Sequence, residues 1–100
     1  MRDEPAAAGV MRRGCVGHEW ELLAARIRAL ATRLGYEVLE ILDADTVGDL
    51  IERVQQLDVD AVIAPTVEHL ALDGLARLCE VITLDPPQLH YRDGRTEPLP

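Results

Sequence analysis

The sequence predicts one small α/β domain over residues 1–100, ordered over about residues 9–87. The expected architecture is a three-layer sandwich of three or four mainly parallel strands with crossover helices. Two observations predict this fold class. Short apolar runs rich in Val and Ile alternate with segments whose apolar residues recur every three or four positions. The 100 residues are 48% hydrophobic but only 3% aromatic, so one core built from Leu, Val, Ile and Ala is expected.

The first third of the chain predicts a short strand and then a long helix. Residues 1–8 are expected to be loose, and residues 9–11 are expected to form the first strand. Helical spacing over about residues 19–34 lines up one apolar face, whose members are Leu23, Ile27, Leu30 and Leu34. Gly35 follows as a residue that commonly ends a helix in the left-handed conformation.

A strand and a helix are expected in the middle of the chain. Residues 37–42 are mostly apolar and predict a strand that is covered on both faces. Thr46 is expected to cap the helix that follows over about residues 47–57, since its hydroxyl can accept a hydrogen bond from a free backbone N–H. The apolar stripe of that helix is Leu50, Ile51, Val54 and Leu57.

The last third predicts a buried strand, a short helix and a final strand. Residues 59–64 form the clearest strand, which Pro65 ends. A helix is expected over about residues 70–79 and a strand over residues 80–84. Residues 88–100 are polar and contain two prolines, so they are expected to form a loose tail. The alternation of strands with helices predicts parallel pairing through right-handed crossovers.

The charge of the chain argues against broad binding to nucleic acid. The net charge is −8, and it is uneven: residues 1–35 carry six Arg against four acids, and residues 36–100 carry four Arg against fourteen acids. A phosphate backbone needs a contiguous basic surface, so DNA is not expected as a partner. Only a small basic patch near Arg12 and Arg13 departs from this picture.

Composition also bears on compartment and cofactors. No apolar run reaches the ~18 residues of a transmembrane helix, and residues 1–10 lack the pattern of a secretory signal. Cys15 and Cys79 have no metal-ligand spacing and fit free thiols in a reducing cytoplasm. The sequence has no Gly-rich phosphate loop and no His/Cys cluster. We therefore expect a cytoplasmic protein with no membrane contact, no metal and no cofactor.

The candidate site lies where strands end. The buried run Ala61–Ala64 leads into a loop with Glu68 and His69 side by side, and sites in open α/β sheets lie at the carboxyl ends of strands. If the protein is active, Arg12, Arg13 and Cys15 would join them, since neighbouring arginines favour a thiolate. The alternative is that these residues have no catalytic role. Cys15 would then be a small side chain at a strand end, and Glu68 and His69 would lie in a solvated loop.

Trp20, the only tryptophan, is the candidate partner-binding residue. It either packs beneath the first helix or anchors a partner surface, because Trp is enriched in binding hot spots. His18, near the start of the same helix, either helps Arg12 and Arg13 to bind an anion or faces solvent.

The order of elements resembles the resolvase-type N-terminal domain of serine recombinases. Two segments carry the resemblance: Ala-Leu-Ala-Thr-Arg-Leu-Gly-Tyr at residues 29–36 and Val-Asp-Ala-Val-Ile at residues 59–63. The resemblance covers about residues 8–86. It implies the fold of that family. In the family, a Ser after the first strand attacks a DNA phosphodiester, and Arg residues stabilise the charged transition state.

The chain departs from that family at its catalytic positions. Glu68 stands where the family has Asp, His69 where it has Arg, and Leu72 where it has a second Arg. At the first strand two registers are open: matching Arg12 to the strand Arg puts Gly14 at the Ser position, and matching Arg13 puts Cys15 there. In both registers the nucleophile and part of the positive charge that phosphoryl transfer needs are missing.

We therefore expect a degenerate, resolvase-like domain without catalytic activity. It would act through protein–protein contact or self-association, including in a regulatory role. The alternative is a DNA-acting or hydrolytic enzyme remnant that uses Cys15 with Arg12, Arg13, Glu68 and His69.

Overall fold

A mixed sheet forms the centre of the molecule. The computed structural model describes residues 4–70 and 72–99, and in these ranges the sheet has six strands in the order β2-β1-β3-β4-β5-β6. The strands are β1 (Ala6–Met11), β2 (Glu37–Asp43), β3 (Ala61–Ala64), β4 (Glu80–Leu84), β5 (Pro87–His90) and β6 (Thr96–Pro98). The helices are α1 (Arg13–Val16), α2 (Trp20–Leu34), α3 (Leu50–Leu57) and α4 (Leu72–Ala76).

The predicted α/β class is confirmed. Strand β1 pairs in parallel with β2 and with β3, and β3 pairs in parallel with β4. Strands β5 and β6 extend the sheet by antiparallel pairing, so the described strands outnumber the three or four that were expected. The sheet is therefore mainly parallel, with a hairpin added beyond β4.

The expectation that residues 88–100 form a loose tail is wrong for the described residues, which end at residue 99. They complete β5 and form β6, and the side chains of Leu89 and Leu99 pack against the core. A tight turn joins the two strands, in which the Tyr91 N–H donates to the Arg95 carbonyl over 2.9 Å. The polar composition of this segment hid two apolar residues that become half-buried because the strands pair.

The expectation that residues 1–8 are loose is also wrong where the structure describes them, from residue 4 onward. Strand β1 begins at Ala6, and residues 6–8 are 0% exposed. Three alanines do not predict a strand by composition, because Ala has a low β propensity. The central place of β1 explains the small residues: a Cβ on Gly9 would lie 3.0 Å from Ile41 Cγ1 and 3.2 Å from Ile27 Cγ2.

The helices form layers on both faces of the sheet, as the three-layer prediction requires. On one face, α2 packs against the strands through Ala24, Ile27 and Ala31. On the other face, α3 contributes Val54 and α4 contributes Leu75. The connection from β1 to β2 runs towards one edge of the sheet. The connections from β2 to β3 and from β3 to β4 run towards the other edge. Right-handed connections therefore place α2 opposite α3 and α4.

Helix boundaries differ from the predicted ones for local reasons. Thr46 does not cap α3: the cap is Asp49, whose side chain accepts a hydrogen bond from the Glu52 N–H over 3.0 Å. Gly48, at φ +84°, holds the backbone in the left-handed region and delays the helix until Leu50. The left-handed end of α2 at Gly35 is confirmed, with φ +88°. No helix in residues 4–70 and 72–99 has the length and hydrophobicity needed to span a membrane.

Ile27 provides a direct test of the packing between α2 and the sheet. The Ile27 side chain is 0% exposed, so Ile27→Ala should lower the free energy of unfolding by about 2–5 kcal/mol through lost burial and a residual cavity. The neighbouring Arg28 is exposed, and Arg28→Ala should change the free energy of unfolding by no more than about 0.5 kcal/mol. Urea unfolding measures both variants. A cost below about 1 kcal/mol for Ile27→Ala would contradict this packing.

Candidate functional site

The loops that follow β1 and β3 diverge at the point where the strand order reverses. In open α/β sheets a ligand crevice opens at this topological switch point, at the carboxyl ends of the strands. A cavity of about 330 Å³ lies here, and its wall includes Arg12 after β1, Asp45 after β2, and Glu68 and His69 after β3. Three loops that are distant in sequence therefore meet at one edge of the sheet.

A hydrogen bond joins the two loops at the switch point. The backbone N–H of Arg12 donates to Nδ1 of His69 over 2.9 Å, and His69 is only 7% exposed. An Nδ1 that accepts a hydrogen bond carries no proton, so we assign the neutral tautomer with its hydrogen on Nε2. Burial lowers the pKa of His69, and the nearby Arg12 charge lowers it further. His69 is thus a neutral imidazole at neutral pH.

The two arginines after β1 are bound by carboxylates of the same chain. Arg12 Nε lies 2.9 Å from Asp45 Oδ1, and Arg13 Nε lies 3.6 Å from Asp43 Oδ2. The same two carboxylates accept backbone hydrogen bonds from Arg13 and Gly14 at 3.2 and 2.9 Å. The bond from Gly14 is the largest cause that lowers the pKa of Asp45, and the bond from Arg12 is the second. The positive charge at the switch point is therefore balanced within the molecule.

Asp43 and Asp45 are the site residues that the sequence reasoning missed. A signal was available, because β2 lies next to β1 in a parallel pair and both strands end at the same edge of the sheet. Acids that follow β2 could therefore have been expected to face arginines that follow β1.

The remaining predicted residues do not form a nucleophile–base pair among the described contacts. Cys15 is exposed on α1, and its thiol makes no hydrogen bond to another described residue. Glu68 is exposed in a single 3₁₀ turn after β3. Leu72 begins α4, and its side chain lies outside the described part of the chain. An activated nucleophile needs a base within hydrogen-bond reach, and the described geometry provides none for Cys15.

Trp20 lies at the start of α2. Its ring packs, half-buried, against the core on the α2 face, and the guanidinium carbon of Arg13 lies 4.1 Å from the ring centroid. Arg13 therefore contacts both an aromatic ring and Asp43. His18 is exposed in the 3₁₀ turn before α2. The described residues contain no group of three or more His, Cys, Asp or Glu placed to hold a metal ion.

A second concave feature, the α2 groove, lies on the face of the sheet that α2 covers. It is a cavity of about 350 Å³ lined by Arg26, Ala29, Leu30, Arg33, Leu84 and Pro87. Leu84 and Pro87 are partners in the antiparallel pairing of β4 and β5, so they project from the same face of the sheet. The groove exists because α2 contacts β1, β2 and β3, while the sheet continues beyond them.

The outer side of α2 extends this groove. Leu22 is 64% exposed, the highest exposure among the large hydrophobic residues of the described chain. Residues 22, 26, 29 and 33 follow the i, i+4, i+7, i+11 spacing, which places them on one side of a helix. Arg26 Nη1 lies 3.4 Å from Asp85 Oδ2 in an exposed pair, whereas Arg33 has no ion-pair partner among the described residues. The outer side of α2 is thus a strip in which Leu22 and Ala29 alternate with Arg26 and Arg33.

The His69 contact predicts a pH dependence of stability. Because the pKa of folded His69 lies below the ordinary 6.5, the unfolded chain takes up a proton at a higher pH than the folded chain does. The His69 contribution is complete above about pH 6.5 and is lost as the pH falls through the lowered folded pKa.

His69→Asn isolates this effect, since an amide oxygen can still accept from Arg12 but does not titrate. Between about pH 6.5 and 5, the free energy of unfolding should fall less steeply in the variant than in the parent chain. Urea unfolding at a series of pH values measures both slopes. Equal slopes would show that His69 is not held neutral by the fold.

Comparisons of the chain with protein-family models, with curated proteins and with solved structures find no match. The resemblance to the resolvase-type domain therefore stays a prediction. The candidate functional residues are those of the switch-point loops and of the α2 groove.

Proposed function

We propose that this chain is a non-catalytic α/β domain that acts by binding another protein through the α2 groove. The observation that carries this proposal is the open surface along α2, where Leu22 is 64% exposed on the same side of the helix as Arg26 and Ala29, which line the groove. Contiguous apolar surface with a polar rim is typical of interaction sites on soluble proteins. Here Arg26 and Arg33 supply the rim.

The switch point supports the non-catalytic part of the proposal. Phosphoryl transfer depends on positive charge directed at the reacting oxygens. Arg12 and Arg13 instead bind Asp45 and Asp43, and the pKa of His69 is lowered. An enzyme remnant that used Cys15 would also need a base beside the thiol, and the described contacts offer none. A degenerate resolvase-like scaffold, working in the cytoplasm, is consistent with these features.

Trp20 remains a second candidate for partner contact. Its half-buried ring beneath the Arg13 guanidinium combines the two residue types that dominate binding hot spots. The α2 groove is the stronger candidate because Leu22 and the arginines beside it are far more exposed than Trp20. Self-association is the form of protein contact that competes with binding a different partner.

DNA assays test the non-catalytic assignment. We expect the chain not to bind duplex DNA at about 10⁻⁶–10⁻⁴ M, the range of ordinary non-specific binding, and not to nick supercoiled plasmid. The double variant Asp43→Asn/Asp45→Asn removes the carboxylates that pair with Arg12 and Arg13. It should therefore bind more DNA at low salt than the parent chain does. Glu21→Gln/Glu52→Gln is the control, because it changes the net charge equally at exposed positions away from the loops. Nicking or rejoining of plasmid by the parent chain would reject the assignment.

Site-specific cross-linking tests the contact surface. A photo-reactive side chain replaces Ala29, which lines the α2 groove, or Gln55, which is exposed on α3. In an extract of cells that produce the protein, we expect an adduct from position 29 and none from position 55. Leu22→Glu should abolish that adduct by replacing the exposed apolar side chain of this strip with a charged one. Equal adducts from both positions, or none from either, would contradict the proposed surface.

A further inference from the structure

We infer that the occupant of the α2 groove is an acidic amphipathic helix of another protein. In this arrangement, apolar side chains of the partner cover Leu22, Leu30 and Leu84, while partner carboxylates bind Arg26 and Arg33. The inference rests on the proposed function and goes further by naming the chemistry of the partner.

Charge complementarity is the first argument. Arg26 and Arg33 are seven residues apart on α2, which separates them by about 10.5 Å along the helix axis. Carboxylates two turns apart on a partner helix have the same spacing. Arg33 has no ion-pair partner among the described residues, and the pair of Arg26 with Asp85 is exposed on both sides. Exposed pairs of this kind contribute little to stability, so Arg26 can exchange Asp85 for a partner carboxylate at small cost.

The shape of the groove favours a helix. In an α/β sandwich the layer that covers a sheet face consists of helices, and α2 is the one long helix on its face within the described part of the chain. Leu84 and Pro87 form the floor beside α2, where a neighbouring helix of that layer would lie. Ala25 and Ala29 are exposed on the outer side of α2, and their small side chains permit close approach.

A second copy of the chain is a poorer occupant. Pairing α2 with α2 of another copy would bring the arginines of two identical strips together, and like charges across an interface cost binding energy. Helix α3 of a second copy cannot serve either, because Val54 is buried and Leu50, Ile51 and Leu57 pack against its own core. The described residues thus contain no acidic amphipathic helix that is free to dock.

Two labelled peptides test the inference. Each peptide has 15 residues, the length of α2, with a Leu stripe at helical spacing. One peptide carries Glu beside the stripe and the other carries Lys at the same positions. Fluorescence anisotropy at low and moderate salt measures binding to the full chain. We expect the Glu peptide to bind with a dissociation constant of about 10⁻⁵ M, weakening as salt rises, and the Lys peptide to bind at least about tenfold more weakly.

Charge reversal on α2 provides the matched control. Arg33→Glu should weaken binding of the Glu peptide by at least about fivefold, and the variant should bind the Lys peptide more tightly than the Glu peptide. Arg28 is exposed on the same helix but does not line the groove, so Arg28→Glu should change binding by less than about twofold. Both arginines are exposed, and circular dichroism checks that the variants keep the fold.

Three results would overturn the inference, and they are separable from failure of the proposed function. Equal weakening by Arg33→Glu and Arg28→Glu would mean that the peptide responds to general charge on α2. A dimer in light scattering that Arg33→Glu dissociates would identify a second copy as the occupant. A cross-link from position 29, with neither peptide bound, would support protein contact through the groove but would exclude an acidic helix as the occupant.

Discussion

The handedness of strand crossovers is the constraint on which the arrangement of this molecule depends. The connection from β1 to β2 runs towards one edge of the sheet, and the connections to β3 and β4 run towards the other. Right-handed crossovers therefore place α2 on one face and α3 with α4 on the opposite face. After β4 the chain turns back as a hairpin and adds two antiparallel strands. The sheet thus becomes wider than the helix that covers its α2 face, and the α2 groove is the result.

The same sheet order decides the character of the switch point. Parallel strands bring the ends of β1, β2 and β3 to one edge, so the arginines after β1 meet the acids after β2 and the imidazole after β3. At this edge, carboxylates of the chain itself pair with the arginines that could otherwise bind an anionic ligand. An arginine in the sequence is therefore a poor indicator of charge that is free to bind a ligand, because Arg12 and Arg13 already pair with carboxylates of the fold.

Much of the fold could be predicted from the sequence because core strands and amphipathic helices carry periodic signals. Residues 80–84 and the glycine that ends α2 lie where the pattern placed them. The alanines that begin β1 could not be predicted, since their burial comes from strands and helices on every side. The hairpin was hidden for a similar reason, because Leu89 becomes half-buried only through strand pairing. The site was missed where it depended on Asp43 and Asp45, whose partners lie about thirty residues away.

On the α2 face, the α2 groove and the outer side of α2 are open, whereas on the opposite face α3 and α4 pack against the core. Methyl NMR with a soluble paramagnetic agent measures this directly, because the agent broadens only the signals that it can approach. The account predicts strong broadening at Leu22 and Leu30 and protection at Leu75, which lies on α4 and is 0% exposed. Methyl signals of Leu22 and Leu30 as protected as those of Leu75 would contradict it.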